Sequence, residues 1–117
     1  FDRLKKVGEL LPNFPIVLHG ASSVLPEFVA KCNEFGGNIP GAQGVPEAML
    51  RQAAQMSVCK INIDTDLRLA MTASVREYLA QNPSEFDPRK YLGPARDAIK
   101  GMVAHKIKNV LGSSNTL

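Results

Sequence analysis

From Val58 to Ile63 the chain alternates apolar with polar or semi-polar residues over a strand's length, and at Asp64 the pattern turns helical. Side chains with chemistry therefore gather where a strand ends: Asn62, Asp64, Thr65, Asp66 and Arg68. An amide, two carboxylates, a hydroxyl and a guanidinium in that space are the mixture that holds a phosphorylated or polyhydroxylated ligand. An upstream stretch answers it. Pro15-Ile16-Val17-Leu18-His19-Gly20-Ala21-Ser22-Ser23 is an apolar strand that delivers a histidine, then small residues whose backbone amides can approach an anion closely.

Around these two stretches the chain alternates helix and strand. Leu4, Val7, Leu10 and Leu11 stand at helical spacing, and Pro12-Asn13 ends that helix before a short buried strand over Phe14 to Leu18. Pro26 opens a helix carrying Phe28, Val29, Cys32 and Phe35, which Gly36-Gly37 ends. After a turn-rich link over Asn38 to Gly44, Pro46 takes the first position of a helix that feeds the strand Val58 to Ile63. A helix follows from Leu67 to Ala80, broken by Asn82-Pro83-Ser84, and a terminal helix runs from the Phe86 segment to about Val110, with a polar tail behind it.

Apolar strands alternating with helices predict an α/β fold with a parallel sheet, and two strands cannot make such a sheet alone. The expected architecture is the C-terminal portion of a TIM-type (β/α)₈ barrel, its last two βα units plus terminal helices. Residues 1–117 then form the C-terminal piece of one barrel domain, with the remaining strands expected before Phe1. The chain opens without Met and in what reads as mid-helix.

A hydrophobic fraction of 44% with 21% charged residues places the sequence among globular chains. A net charge of +3 from dispersed Lys and Arg gives no basic stripe for nucleic acid. No apolar run approaches the roughly 18 residues of a membrane helix, and no signal peptide opens the chain, so a cytoplasmic setting is expected. Cys32 and Cys59 are too far apart for a metal-binding pair and read as reduced, packed thiols. Phe28, Phe35, Met49, Met56, Met71 and Met102, at helical spacing, are expected in the core.

In (β/α)₈ barrels the loops after the last two strands commonly bind phosphate, and here those loops are Gly20 to Ser23 and Asn62 to Thr65. His19, at the end of its strand, can ligate zinc or serve as a hydrogen-bonded core histidine, and its position alone leaves both open.

Leu18-His19-Gly20-Ala21-Ser22-Ser23, then Lys60 through Arg68 (KINIDTDLR), then Asp87-Pro88-Arg89-Lys90-Tyr91-Leu92 resemble, in family order, the C-terminal part of class II, zinc-dependent fructose-1,6-bisphosphate aldolases. The resemblance covers nearly the whole chain and implies aldol cleavage of fructose 1,6-bisphosphate to dihydroxyacetone phosphate and glyceraldehyde 3-phosphate. Its close alternative is the same chemistry on tagatose 1,6-bisphosphate.

Carried over residue by residue, the resemblance makes His19 one of the histidine ligands of a catalytic Zn²⁺, a Lewis acid toward the ketose carbonyl. Gly20 and Ser22 donate to the phosphate on the dihydroxyacetone side, and Asp64 and Thr65 complete that pocket. Asn62 is the catalytic amide that hydrogen-bonds the developing enediolate. Arg68 reaches the other phosphate, and Arg89 grips it from the adjacent subunit of a homodimer or homotetramer. His105 matches no ligand position. Asp87 stands outside the set as a residue that orients an arginine.

Without the resemblance, Ser22 reads as a cap or turn residue, Asp64 to Asp66 as a charged first helical turn, and Arg89 as a surface residue. The family's other zinc ligands, its catalytic carboxylate and its mobile loop belong upstream of Phe1. These residues by themselves are therefore expected to be inactive; the alternative from a different function class is a noncatalytic phosphate-binding or assembly fragment.

Overall fold

The structure, a computed structural model, describes residues 1–116. Its elements in chain order are α1 (Asp2–Leu10), β1 (Ile16–Leu18), α2 (Pro26–Glu34), α3 (Glu47–Ala54), β2 (Val58–Ile61), α4 (Thr65–Gln81), α5 (Pro88–His105) and a π-helix over Lys106–Leu111. The helix–strand alternation expected from the sequence is present. So is the parallel pairing: Ile16 lies opposite Val58, Val17 opposite Lys60 and Leu18 opposite Ile61.

Both strands are shorter than their apolar patterns. The ladder begins where the Ile16 N–H donates to the Ser57 carbonyl at 2.9 Å, because Pro15 has no N–H to offer and Phe14 N–H turns back to Leu11. It ends where Asn62 N–H donates to the Leu18 carbonyl at 3.2 Å, so Ile63 lies beyond the strand. Among the described residues the sheet has two strands, each with one unpaired edge.

The helices end where local chemistry dictates. α5 starts at Pro88, whose missing N–H costs nothing there, and the Asp87 carboxylate accepts from the Arg89 N–H at 3.0 Å. The terminal helix does not continue regularly to Val110; it becomes π-helical at Lys106 and closes at Gly112 in the left-handed conformation, φ 68°. Pro46 precedes α3 as its cap residue instead of occupying its first turn.

Packing falls into two zones. Ala21, Leu50 and Val110 form a buried cluster with Leu18, Val45 and Ile61 around it, seating the loop after β1 against α3 and the π-helix. The second zone is the seam between α4 and its neighbours, where small residues are buried, Ala70, Ala73 and Ser74 of α4, Cys32 of α2 and Ala95 of α5, together with the larger Met102 of α5. Small side chains let helix axes approach closely. Because Lys106, just past α5, bonds to Asp66 in the first turn of α4, α5 runs back along α4.

Much apolar surface is left uncovered. Phe14 is 56% exposed and Phe86 87%, and Val7, Leu11, Val17 and Met49 line an open apolar groove of about 600 Å³ beside β1. Met49 and Met71, expected in the core, are at the surface: Met49 lines the open groove beside β1 and Met71 an open cleft against α5. Met102 is buried as expected, while Phe28, Phe35 and Met56 are half-buried. Cys32 is buried but Cys59 is exposed, since it lies on a sheet face without a covering helix. The radius of gyration is 17.2 Å, against about 13 Å for a compact domain of this length. A parallel sheet is stable when both faces are covered, and the short β1–β2 pair has an open apolar groove beside it. No helix among the described residues is long and apolar enough to cross a membrane.

Candidate active site

Parallel register sets the site. With Leu18 opposite Ile61, the next residue of each strand, His19 and Asn62, emerges at the same sheet edge, and the Asn62 side-chain nitrogen lies 2.8 Å from His19 Nδ1. With the amide nitrogen as donor, Nδ1 accepts and the ring proton sits on Nε2; a half-turn of the Asn62 amide reverses the roles and leaves a lone pair on Nε2 for a metal. His19 is exposed at this edge.

Two segments flank the pair. On one side, Gly20 adopts φ 65°, a left-handed turn that suits a residue without Cβ, and carries the chain into the loop of Ala21, Ser22 and Ser23. Ala21 is buried in the core cluster and Ser22 offers its carbonyl to Val45 N–H at 3.0 Å, so the loop is held at two successive residues. On the other side is the N-terminus of α4. Asp64 caps it without a side-chain bond to its amides, because the Asp64 carboxylate is turned to Arg68 at 2.7 Å. The first-turn amides of this 17-residue helix are thus free of a side-chain cap, and Thr65 is its first residue. Such an N-terminus favours an anion.

Of the residues singled out from sequence, His19, Gly20, Ser22, Asn62, Asp64, Thr65 and Arg68 are thus carried by the two segments that follow the adjacent strand ends. Arg89 is not. It lies at the start of α5, beside the far end of α4, about 25 Å along a helix of 17 residues from Thr65. There it forks onto Asp87, with Nε and Nη2 each donating to the carboxylate at 3.0 and 2.7 Å. That pairing holds the Asp87 carboxyl below its usual range and the Arg89 guanidinium above its own. Asp87 orients an arginine, as the sequence suggested.

The largest group that sequence reasoning missed lies behind the site. Lys106 Nζ donates to Ser23 Oγ at 2.8 Å, to Asp66 Oδ2 at 2.5 Å and to Glu47 Oε1 at 2.5 Å. Ser23 Oγ in turn donates to Asp66, whose other oxygen accepts from Leu25 N–H at 2.8 Å. Asp66, read from sequence as part of a charged first helical turn, lies in that turn and is fully buried. Glu47 also bonds His105 Nε2 at 2.7 Å, so His105 belongs to this cluster and not to a metal centre. Burial alone would raise the Glu47 carboxyl, but the hydrogen bonds from Lys106 and His105 and their charges outweigh it and hold it below its ordinary range. The missed signal was periodic: Asp66 shares the buried stripe of α4 with Ala70, Ala73 and Ser74, and Lys106 stands four residues from both buried Met102 and buried Val110.

The metal test has a divided result. Among the described residues no group of three or more His, Cys, Asp or Glu is placed to hold a metal ion. His19 fits the part of one ligand: an accessible imidazole whose second nitrogen has a hydrogen-bonding partner. A zinc centre needs about three protein ligands, so these residues do not make one by themselves.

Comparison with known proteins supplies the wider setting. The family model for fructose-bisphosphate aldolase class-II matches residues 1–116. A protein of Treponema pallidum named fructose-bisphosphate aldolase is 56% identical over 114 residues, 97% of this chain and 34% of that protein. Those of the same name from Thermus caldophilus and Giardia intestinalis are 50% and 46% identical over 91% and 92% of this chain, and 34% and 33% of theirs. The chain spans about one third of the length of these curated relatives.

Proposed function

Since the chain belongs to the class II fructose-bisphosphate aldolase family, we propose that its 117 residues are the C-terminal third of a (β/α)₈ barrel that cleaves fructose 1,6-bisphosphate. The observation that carries the proposal is the juxtaposition of His19 and Asn62 at one sheet edge, between the Gly20–Ser23 loop and the uncapped start of α4. A second support is the apolar groove beside β1, which offers the remaining strands a surface to cover.

In this proposal His19 is one ligand of a Zn²⁺ whose other ligands lie outside these residues; when bound, the ion supplies a Lewis acid beside the ketose carbonyl. The protein's own groups bind and orient. Gly20 and Ser22 hold one phosphate together with the Asp64–Thr65 turn, where backbone amides and the Thr65 hydroxyl donate. Asn62, fixed by its ladder bond to Leu18, presents its amide to the oxygen on which charge develops. Arg68 and Arg89 serve the second phosphate, Arg89 from the neighbouring subunit of a homodimer or homotetramer. Its distance from Thr65 within one chain supports that arrangement. The enzyme would work in the cytoplasm, in glycolysis and gluconeogenesis.

Cleavage assays test the proposal. The complete polypeptide should split fructose 1,6-bisphosphate in a reaction that a chelator removes, and the 117-residue chain should not. Chelator-sensitive turnover by this chain alone would show that the metal site lies within it. Equal or faster cleavage of tagatose 1,6-bisphosphate would replace the substrate.

Arg89→Ala in the complete enzyme should raise KM for fructose 1,6-bisphosphate about 10- to 100-fold, the worth of a charge-assisted hydrogen bond of about 1.5–3 kcal/mol. Zinc content should not change. Mixing it with an inactive variant altered in the other subunit's site should restore activity; failure to complement would place Arg89 outside a shared site.

A further inference from the structure

Lys106 is the one described lysine whose side chain is almost fully buried, and it touches neither His19 nor Asn62. An ammonium has three N–H groups, and here each has its own acceptor on a different segment: Ser23 in the loop after β1, Asp66 in the first turn of α4, and Glu47 in the first turn of α3. Those three segments surround the candidate phosphate pocket. Ser23 follows Ser22 directly, Asp66 follows Thr65 directly, and Glu47 lies two residues after Val45, whose N–H holds the Ser22 carbonyl.

We infer that Lys106 is a positioning residue: acting through Ser23 and Asp66, it fixes the spacing between the loop that carries Gly20 and Ser22 and the turn that carries Asp64 and Thr65. The inference rests on the functional reading above and adds to it a residue from the far end of the chain. Neither segment is regular on the side facing the pocket. β1 ends at Leu18 and α4 begins at Thr65, so no ladder or helical bond connects Ser22 to Thr65. The link between them is polar and lies behind them, in the Ser23–Asp66 and Lys106 bonds. Arginine does not reproduce it, because a planar fork cannot direct three donors to three converging acceptors.

The π-helix serves this geometry. α5 lies against α4 in the regular helical pattern as far as His105, and the wider turn begins at Lys106. Both Lys106 and, four residues on, Val110 are then buried, the first beside Asp66 and the second in the cluster with Ala21 and Leu50. One irregular turn thus presses on the loop after β1 at two points, Ser23 by charge and Ala21 by packing.

The test uses the complete enzyme with Ser23→Ala and with Lys106→Met/Asp66→Asn. The first removes the loop's side-chain bond to the ion pair and leaves the Leu25 N–H on Asp66; the second removes both members of the buried pair and leaves the partly exposed Glu47 with His105 as its partner. Both should raise KM for fructose 1,6-bisphosphate about tenfold, with kcat within about threefold of wild type and full zinc content, and Ser23→Ala should melt within a few degrees of wild type. A KM within twofold of wild type in either folded variant overturns the inference while leaving the aldolase reading in place. If the double variant does not fold, Ser23→Ala decides alone. Absence of turnover in the wild-type enzyme overturns the functional reading, and this inference with it.

Discussion

His19→Ala in the complete enzyme is expected to remove bound zinc and aldol cleavage together, with turnover falling by at least about 10³-fold. A metal acting as Lewis acid contributes several kcal/mol to the transition state, and each 1.4 kcal/mol is a factor of ten in rate. Stability should change little, because the imidazole is exposed and the one side-chain bond it makes is to Asn62. Metal analysis and melting must therefore accompany the kinetics. Lost turnover with stoichiometric zinc retained would take His19 out of the ligand set and leave it as the partner of Asn62.

Asn62→Ala makes the companion case. The ladder bond from its backbone to Leu18 survives the substitution, so the strand end stays in place and zinc should remain bound. Turnover should fall by about 10²- to 10³-fold, the usual loss when one preorganised donor to a developing negative charge is removed. The two variants would thus separate the proposed metal ligand from the proposed donor to the reacting oxygen.

How far the sequence carried these assignments depends on the kind of interaction involved. Helix starts were legible, because Pro26 and the switch of period at Asp64 are local signals, and parallel pairing followed from alternation of elements, whereas the strands expected over Phe14 to Leu18 and Val58 to Ile63 are shorter, Ile16–Leu18 and Val58–Ile61. That the two loops lie side by side followed from the parallel sheet, but the pairing of His19 with Asn62 depends on the register, Leu18 opposite Ile61, which the sequence pattern does not give. The network at Lys106 was not legible in that way. Its members stand at positions 23, 47, 66 and 106, and only tertiary packing gathers them. Asp66 illustrates this: its place in a charged first turn was legible, but its burial beside Ala70 and Ala73 depends on partners distant in sequence. The same logic failed for Met49 and Met71, where helical spacing identified a face but not whether any element covers it.

Gly44→Ala is also expected to do severe damage, although residue 44 carries no side chain and no candidate role in chemistry. A Cβ at this position would lie 2.5 Å from the Ser22 carbonyl oxygen and 2.5 Å from the Val24 nitrogen, and 2.8 Å from the Ser23 carbonyl carbon. These are backbone atoms, so no rotamer change relieves the contact, and the loop itself must move. It cannot move freely: Ser23 is tied to Asp66 and Lys106, Ala21 is packed against Leu50 and Val110, and Val45 N–H holds the Ser22 carbonyl. The expected outcome is a loss of about 1–3 kcal/mol of stability from overpacking. With it, KM for fructose 1,6-bisphosphate should rise by tenfold or more, since Gly20 and Ser22 would be displaced from the proposed pocket while zinc content should hold, His19 following the end of β1. Gly101→Ala is the matched control, because a Cβ there meets nothing within 4 Å and lies within α5, where alanine should stabilise by about 0.5–1 kcal/mol. Gly44→Ala with wild-type KM would mean that the Ser22 loop tolerates displacement, and would remove close backbone packing from the account of how this site is held.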